Sequence, residues 1–117
     1  MTEAVTGARR NILFICSRNQ WRSPTAEKIW RRHPGLAVRS AGTSAAARRT
    51  VTAKDIDWAD VIFVMEDKHK SRLLAAFPRP MQYKTVHILD IPDEYGYMDT
   101  DLVDMLRESV SAQLGLD

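Results

Sequence analysis

The only cysteine of the chain, Cys16, closes the apolar run Asn11–Ile15, and an arginine, Arg22, follows it after five intervening residues. These are residue types for phosphoryl transfer. A guanidinium presents a planar fork that matches two phosphate oxygens. The backbone from Ser17 to Arg22, through Arg18, Asn19, Gln20 and Trp21, must reverse direction, and N–H groups in such a turn can converge on an anion. The segment beginning at Ser23 reads as a helix, whose positive end adds to the same field. A thiol in that field is expected as the thiolate, the form that attacks. Facing a bound phosphoryl group, it is a nucleophile in position. Ser23 is near enough in sequence to hydrogen-bond the sulfur and help it leave. The plain alternative is a small buried hydrophobe, the usual lot of a lone cysteine. The bare spacing is a weak pattern in a chain with 17 basic residues.

The context strengthens it. Asn11–Ile15 reads as a buried strand. Ser23 is a good N-cap, Pro24 suits the first helical position, and Glu27 falls in the first turn. Ala26, Ile29, Trp30 and His33 share one helical face, and His33–Gly35 stops the helix. Leu36–Gly42 reads as a second strand, followed by a polar loop of small residues. Thr52 caps a short helix through Trp58. Asp60–Met65 is apolar at nearly every position, as in a strand buried on both faces. Glu66–Phe77 is an amphipathic helix, Lys84–Ile91 a fourth strand, and Pro92–Asp101 a loop rich in acids and tyrosines. A last helix begins near Asp99 or Thr100, with Leu102, Met105, Leu106 and Val110 facing inward. Strands alternating with helices predict an α/β fold, a central four-stranded parallel sheet between two helical layers. Ligands bind such sheets at the carboxyl ends of strands, where Cys16 lies.

Composition narrows the function classes. With 117 residues the chain suits one domain, and residues 1–10 read as a flexible tail ahead of a domain over 11–117. A net charge of +2 does not announce nucleic acid. No apolar run is long enough to span a membrane, and the opening residues lack the apolar core of a signal peptide. One cysteine forms no internal disulfide, so a reduced cytoplasmic setting fits. His33, His69 and His87 lack metal-ligand spacing, and no cofactor is expected.

Four ordered stretches resemble the low-molecular-weight protein tyrosine phosphatase family. "ICSRNQWRSPTAE" is similar to its phosphate-binding loop, C-x-x-N-x-x-R-S-P before a helix, and "RSAGT" (Arg39–Thr43) to its second landmark. "WADVIFVME" (Trp58–Glu66) resembles its buried strand, and "DIPDEYGYMD" (Asp90–Asp99) its general-acid loop. The resemblance implies a three-layer α/β/α, phosphotyrosine phosphatase I-like fold. It implies a phosphatase acting on phosphotyrosine proteins or small aryl phosphates through a phosphocysteine, without a metal, and inhibited by oxyanions such as phosphate. Cys16 would be the nucleophile and Arg22 the phosphoryl ligand. Asn19 would hold the loop in shape, and Ser23 would ease the thiolate. Asp93 would be the acid, with Trp21, Tyr95 and Tyr97 walling the cleft.

The candidate acids are Asp90, Asp93, Glu94 and Asp99, of which Asp99 sits where the last helix needs a cap. Asp90 ends a strand, while Asp93 follows Pro92 in the loop and is preferred. The chain also departs from the family. Arg18 stands for a usual glycine and Trp21 for a frequent second cysteine. Glu94 follows Asp93 where proline is usual, and little chain separates Thr43 from Trp58. Two rivals follow. An arsenate reductase on this fold would need an external thiol here, since no second cysteine is present. A shortened cleft would suit a module that binds phosphate or phosphoprotein with little turnover. The sequence leaves the oligomeric state open.

Overall fold

A computed structural model describes residues 9–116. The tail expected over residues 1–10 falls mostly outside them, and Arg10 already belongs to the first strand. The elements run β1 (Arg10–Cys16), α1 (Arg22–Trp30), β2 (Leu36–Gly42), α2 (Ala53–Trp58), β3 (Val61–Val64), α3 (Asp67–Ala76), α4 (Pro78–Met81), β4 (Thr85–Ile88) and α5 (Thr100–Leu114). All strands are parallel, in the order β2-β1-β3-β4. The chain moves from β1 to one side for β2 and to the other for β3. The carboxyl end of β1 is therefore the topological switch point, where such sheets open a crevice.

Alternation along β1 divides the core. Ile12, Phe14 and Cys16 pack with residues of α1 and α5, while Leu13 and Ile15 pack with α2, α3 and α4. Phe14 stacks between Trp30 and Phe63 at 5.8 and 5.6 Å between ring centres. Asp60 ties the strand starts together, its carboxylate accepting the Asn11 N–H at 2.8 Å. Thr52 and Asp55 cap α2 reciprocally, and the Asp99 carboxylate accepts the N–H groups of Asp101 and Leu102 at the start of α5. Leu102, Leu106 and Val110 are buried along that helix, and Met105 partly so. Among the described residues no helix is long and apolar enough to cross a membrane.

The first helix differs from expectation. It begins at Arg22 with Trp21 at its N-cap, so Ser23 lies inside the first turn and caps nothing. Its hydroxyl is drawn inward by Cys16 and Asn19 instead. Glu27 consequently lies beyond the first turn, where it accepts a hydrogen bond from the Ser40 hydroxyl. The single turn α4, opened by Pro78, was not foreseen.

Candidate active site

Cys16 sits at the end of β1, on the floor of a cavity of about 240 Å³ lined also by Arg18, Gln20, Trp21, Arg22 and Asp93. The turn above it is shaped by its own carbonyls. The segment after β2 takes them. Thr43 N–H donates to Cys16 O at 3.0 Å, Ser44 N–H to Ser17 O at 2.9 Å, and Arg48 N–H to Arg18 O at 2.9 Å. Arg48 Nε adds a bond to Asn19 O at 3.0 Å. With the carbonyls held on that side, the peptide planes turn their N–H groups the other way. Asn19 completes the reversal at φ 56°. Among the described residues, the N–H groups of Arg18, Gln20 and Trp21 have no protein acceptor, nor do those of Arg22 and Ser23 at the start of α1. Such donors at a helix start can hold an anion.

Gly42 permits the close approach of the two segments. A Cβ there would lie 2.5 Å from Ser17 O and 2.7 Å from the Ala47 Cβ. Any side chain there would force β2 and the loop apart.

Behind the loop, the sulfur has its own donors. Asn19 N–H points to Cys16 Sγ at 3.2 Å, and Ser23 Oγ lies 2.9 Å from it. The Asn19 amide donates to Ser23 Oγ and to Ser40 Oγ, both at 2.9 Å. Because Ser23 Oγ already accepts that bond, its own proton is available for the sulfur. Among the described residues the only other acceptor in range is Ala41 O, at 3.5 Å.

Arg22 is buried to 2% exposure. Its Nη1 reaches Glu66 Oε1 at 2.6 Å and Ile91 O at 2.8 Å, and its Nε lies 3.7 Å from Asp93 Oδ1. These contacts fix the guanidinium in the wall of the cavity that Cys16 also lines. Partial burial pushes the Glu66 carboxyl up, but the hydrogen bond and charge of Arg22, with Lys68, outweigh it and hold it below its ordinary value. Under the loop, His69 is fully buried. Its Nδ1 accepts the Glu66 N–H at 3.0 Å, so the neutral ring carries its proton on Nε2 and donates it to Ser17 Oγ at 2.8 Å. Burial, aided by the charge of Arg22, pushes this imidazole down to about 4.

The sequence-expected residues divide accordingly. Cys16, Arg18, Gln20, Trp21, Arg22 and Asp93 meet in one cavity. Asn19 and Ser23 stand behind it as supports, and the Ser17 side chain is turned away to His69. Asp90 lies outside, on a surface shared with Glu66, Asp67, Lys68 and Pro92. Of the expected cleft walls, only Trp21 lines the cavity. Tyr95 packs against the core, and Tyr97 borders a neighbouring groove. Glu66, His69 and Gly42 have no catalytic role that the sequence alone assigns. Glu66 lies just past the carboxyl end of β3 and Gly42 at that of β2. That position is the one signal that marks them.

Comparison with known proteins fits this geometry. A sequence model described as low molecular weight phosphotyrosine protein phosphatase matches residues 11–56. No curated protein sequence matches the chain. Among solved structures, the arginine phosphatase YwlE from Geobacillus stearothermophilus is similar, with a TM-score of 0.71 at 23% identity over 91% of this chain and 93% of that one. Wzb from Vibrio vulnificus, in complex with benzylphosphonate, gives 0.73 at 22% identity over 92% and 99%. The low molecular weight protein tyrosine phosphatase of Streptococcus pyogenes gives 0.75 at 17% identity over 91% of each chain. Residues 11–56 thus carry the sequence pattern of the low molecular weight phosphotyrosine protein phosphatase family, and the described chain carries that family's fold.

Proposed function

We propose that the chain is a phosphatase for aryl phosphate monoesters, phosphotyrosine foremost, acting through a phosphocysteine. One observation carries the reading: a sulfur with two donors of its own lies on the floor of a cavity that also holds Arg22, free loop amides and a carboxylate. The amides and Arg22 bind the phosphoryl oxygens. They stabilise the charge that builds on them, which asks nothing of a metal. Cys16 Sγ attacks phosphorus in line, the bond to the phenolic oxygen breaks, and Asp93 gives that oxygen a proton. In the second step Asp93 takes a proton from water as the water attacks phosphorus. The sulfur leaves as thiolate, eased by the Ser23 hydroxyl and the Asn19 N–H.

The similar structures include both arginine and tyrosine phosphatases. Two features of this cavity favour the aryl substrate. Trp21, 47% exposed, offers an indole face to a ring. Arg18 lines the same cavity and opposes a substrate whose leaving group becomes cationic. An arsenate reductase would need an external thiol to resolve an adduct on Cys16. The phosphocysteine route needs only water. The test is turnover of an aryl phosphate in EDTA. Chelator-resistant turnover that disappears in Cys16→Ser is expected. Turnover surviving that change, or tight phosphate binding without turnover of any aryl phosphate, refutes the reading; the second result marks a binding module.

A further inference from the structure

A second groove, of about 370 Å³, adjoins the reaction cavity and shares Gln20 with it. Lys28 and Arg31 line it from α1 and the residue that ends it, Arg48 from the segment behind the phosphate loop, and Tyr97 from the acid loop. Among the described residues, none of Lys28, Arg31 and Arg48 lies within ion-pair distance of a carboxylate. Glu27, the one acid in the lining, is engaged by the Ser40 hydroxyl. Arg48 is anchored, its Nε on Asn19 O at 3.0 Å, which leaves the rest of its fork for a ligand. Arg18 is likewise without a carboxylate partner among the described residues, and it stands in the reaction cavity on the other side of Gln20. A concave, mostly polar lining with three cations against one carboxylate favours an anionic guest, and a phenol beside them can donate to its oxygens.

We propose that this groove is a second anion subsite, which holds a phosphoryl or carboxylate group of the same phosphopeptide whose phosphotyrosine enters the Cys16 cavity. The inference rests on the phosphatase reading and names its substrate class: tyrosine-phosphorylated segments bearing another anionic group nearby. It requires an extended substrate, because the two sites are separated by the Gln20 side chain. Arg48 then serves the site twice, shaping the loop through Asn19 and facing the guest.

The test compares p-nitrophenyl phosphate with three peptides of one sequence. One carries a single phosphotyrosine, one adds a neighbouring glutamate, and one adds a second phosphotyrosine. In the unaltered protein, kcat/KM is expected to rise with the second anion. In the double variant Lys28→Glu, Arg31→Glu that gain is lost, about tenfold or more and mainly in KM. Turnover of p-nitrophenyl phosphate, which does not reach the groove, stays within about twofold. A gain for both additions marks a general anion site; a gain for the second phosphate alone marks a phosphoryl site. Equal kcat/KM for all three peptides overturns the proposal, as does an equal loss on every substrate in the variant. If no aryl phosphate is turned over, the phosphatase reading fails by itself. Titration of the same peptides into Cys16→Ser then decides the groove: tighter binding of the doubly anionic peptides, abolished by the charge reversals, supports it, and equal binding overturns it.

Discussion

Replacing Ser23 by alanine should slow the release of the sulfur more than its attack. Ser23 Oγ lies 2.9 Å from Cys16 Sγ and accepts the Asn19 amide at 2.9 Å, which commits its proton to the sulfur. A hydrogen bond to a charged partner is worth about 1.5–3 kcal/mol, or about 10- to 150-fold in rate. The bond strengthens as thiolate forms, so the loss falls on hydrolysis of the phosphocysteine. Stopped-flow turnover of p-nitrophenyl phosphate should then show a burst of phenolate followed by a slow steady state, and acid quench should trap more phosphoenzyme than in the unaltered protein. Ser40→Ala is the control. It removes the other acceptor of the Asn19 amide, also at 2.9 Å, without touching the sulfur. It also removes the bond to Glu27, which lies away from the sulfur, so its loss in rate should be several-fold smaller, about 1 kcal/mol through the Asn19 amide. Turnover of Ser23→Ala within about twofold of the unaltered rate, or an equal loss in Ser40→Ala, refutes the assignment of the Ser23 proton.

Three further outcomes are expected. The His69 imidazole, held neutral with its pKa pushed down to about 4, refuses a proton that the unfolded chain accepts near 6.5. Its stabilisation is complete above that value and falls as pH drops toward 4, about 2 kcal/mol by about pH 5. Glu66 and Asp55, both held below the usual carboxylate values, give up their share only in more acid solution. In urea unfolding, the unaltered protein should therefore lose about 2 kcal/mol relative to His69→Gln between about pH 7 and 5, and parallel curves exclude the buried neutral ring. Asp93→Ala should slow the first chemical step about a hundredfold or more, while Asp90→Ala, outside the cavity, leaves it nearly unchanged. The reverse pattern in single-turnover rates reassigns the acid. Gly42→Ala forces a Cβ to within 2.5 Å of Ser17 O, so it should cost about 1–3 kcal/mol of stability and weaken inorganic phosphate binding. Undiminished phosphate affinity by calorimetry would show that the loop does not need that close approach.

The candidate phosphate loop was readable because its chemistry is local. Cys16, Asn19, Arg22 and Ser23 lie within one strand end and one helical turn, and their types and spacing already state an anion site. The strand and helix order followed from apolar runs and caps, and Thr52 and Asp99 stand at the helix starts where their side chains belong. What holds the loop was not readable, because it comes from far along the chain. Glu66 lies 44 residues from Arg22, His69 lies 52 from Ser17, and Arg48 lies 29 from Asn19. Read in sequence, they are an acid before a helix, an isolated histidine and part of a basic run. Only the parallel order β2-β1-β3 brings their ends together. Ser23 erred in the opposite direction. Its type and place before Pro24 suit a cap, but the demand of the sulfur and Asn19 for a hydroxyl won, and Trp21 took the cap position.

The central claim is that Cys16 becomes covalently phosphorylated on the way to product. Acid-quenched protein, taken during turnover of an aryl phosphate in EDTA, can be digested and the Cys16 peptide weighed. The account predicts one added phosphoryl group on Cys16, lost on standing in neutral buffer, absent in Cys16→Ser and enriched in Ser23→Ala. Turnover that proceeds with the Cys16 peptide unmodified in every sample, Ser23→Ala included, would contradict it.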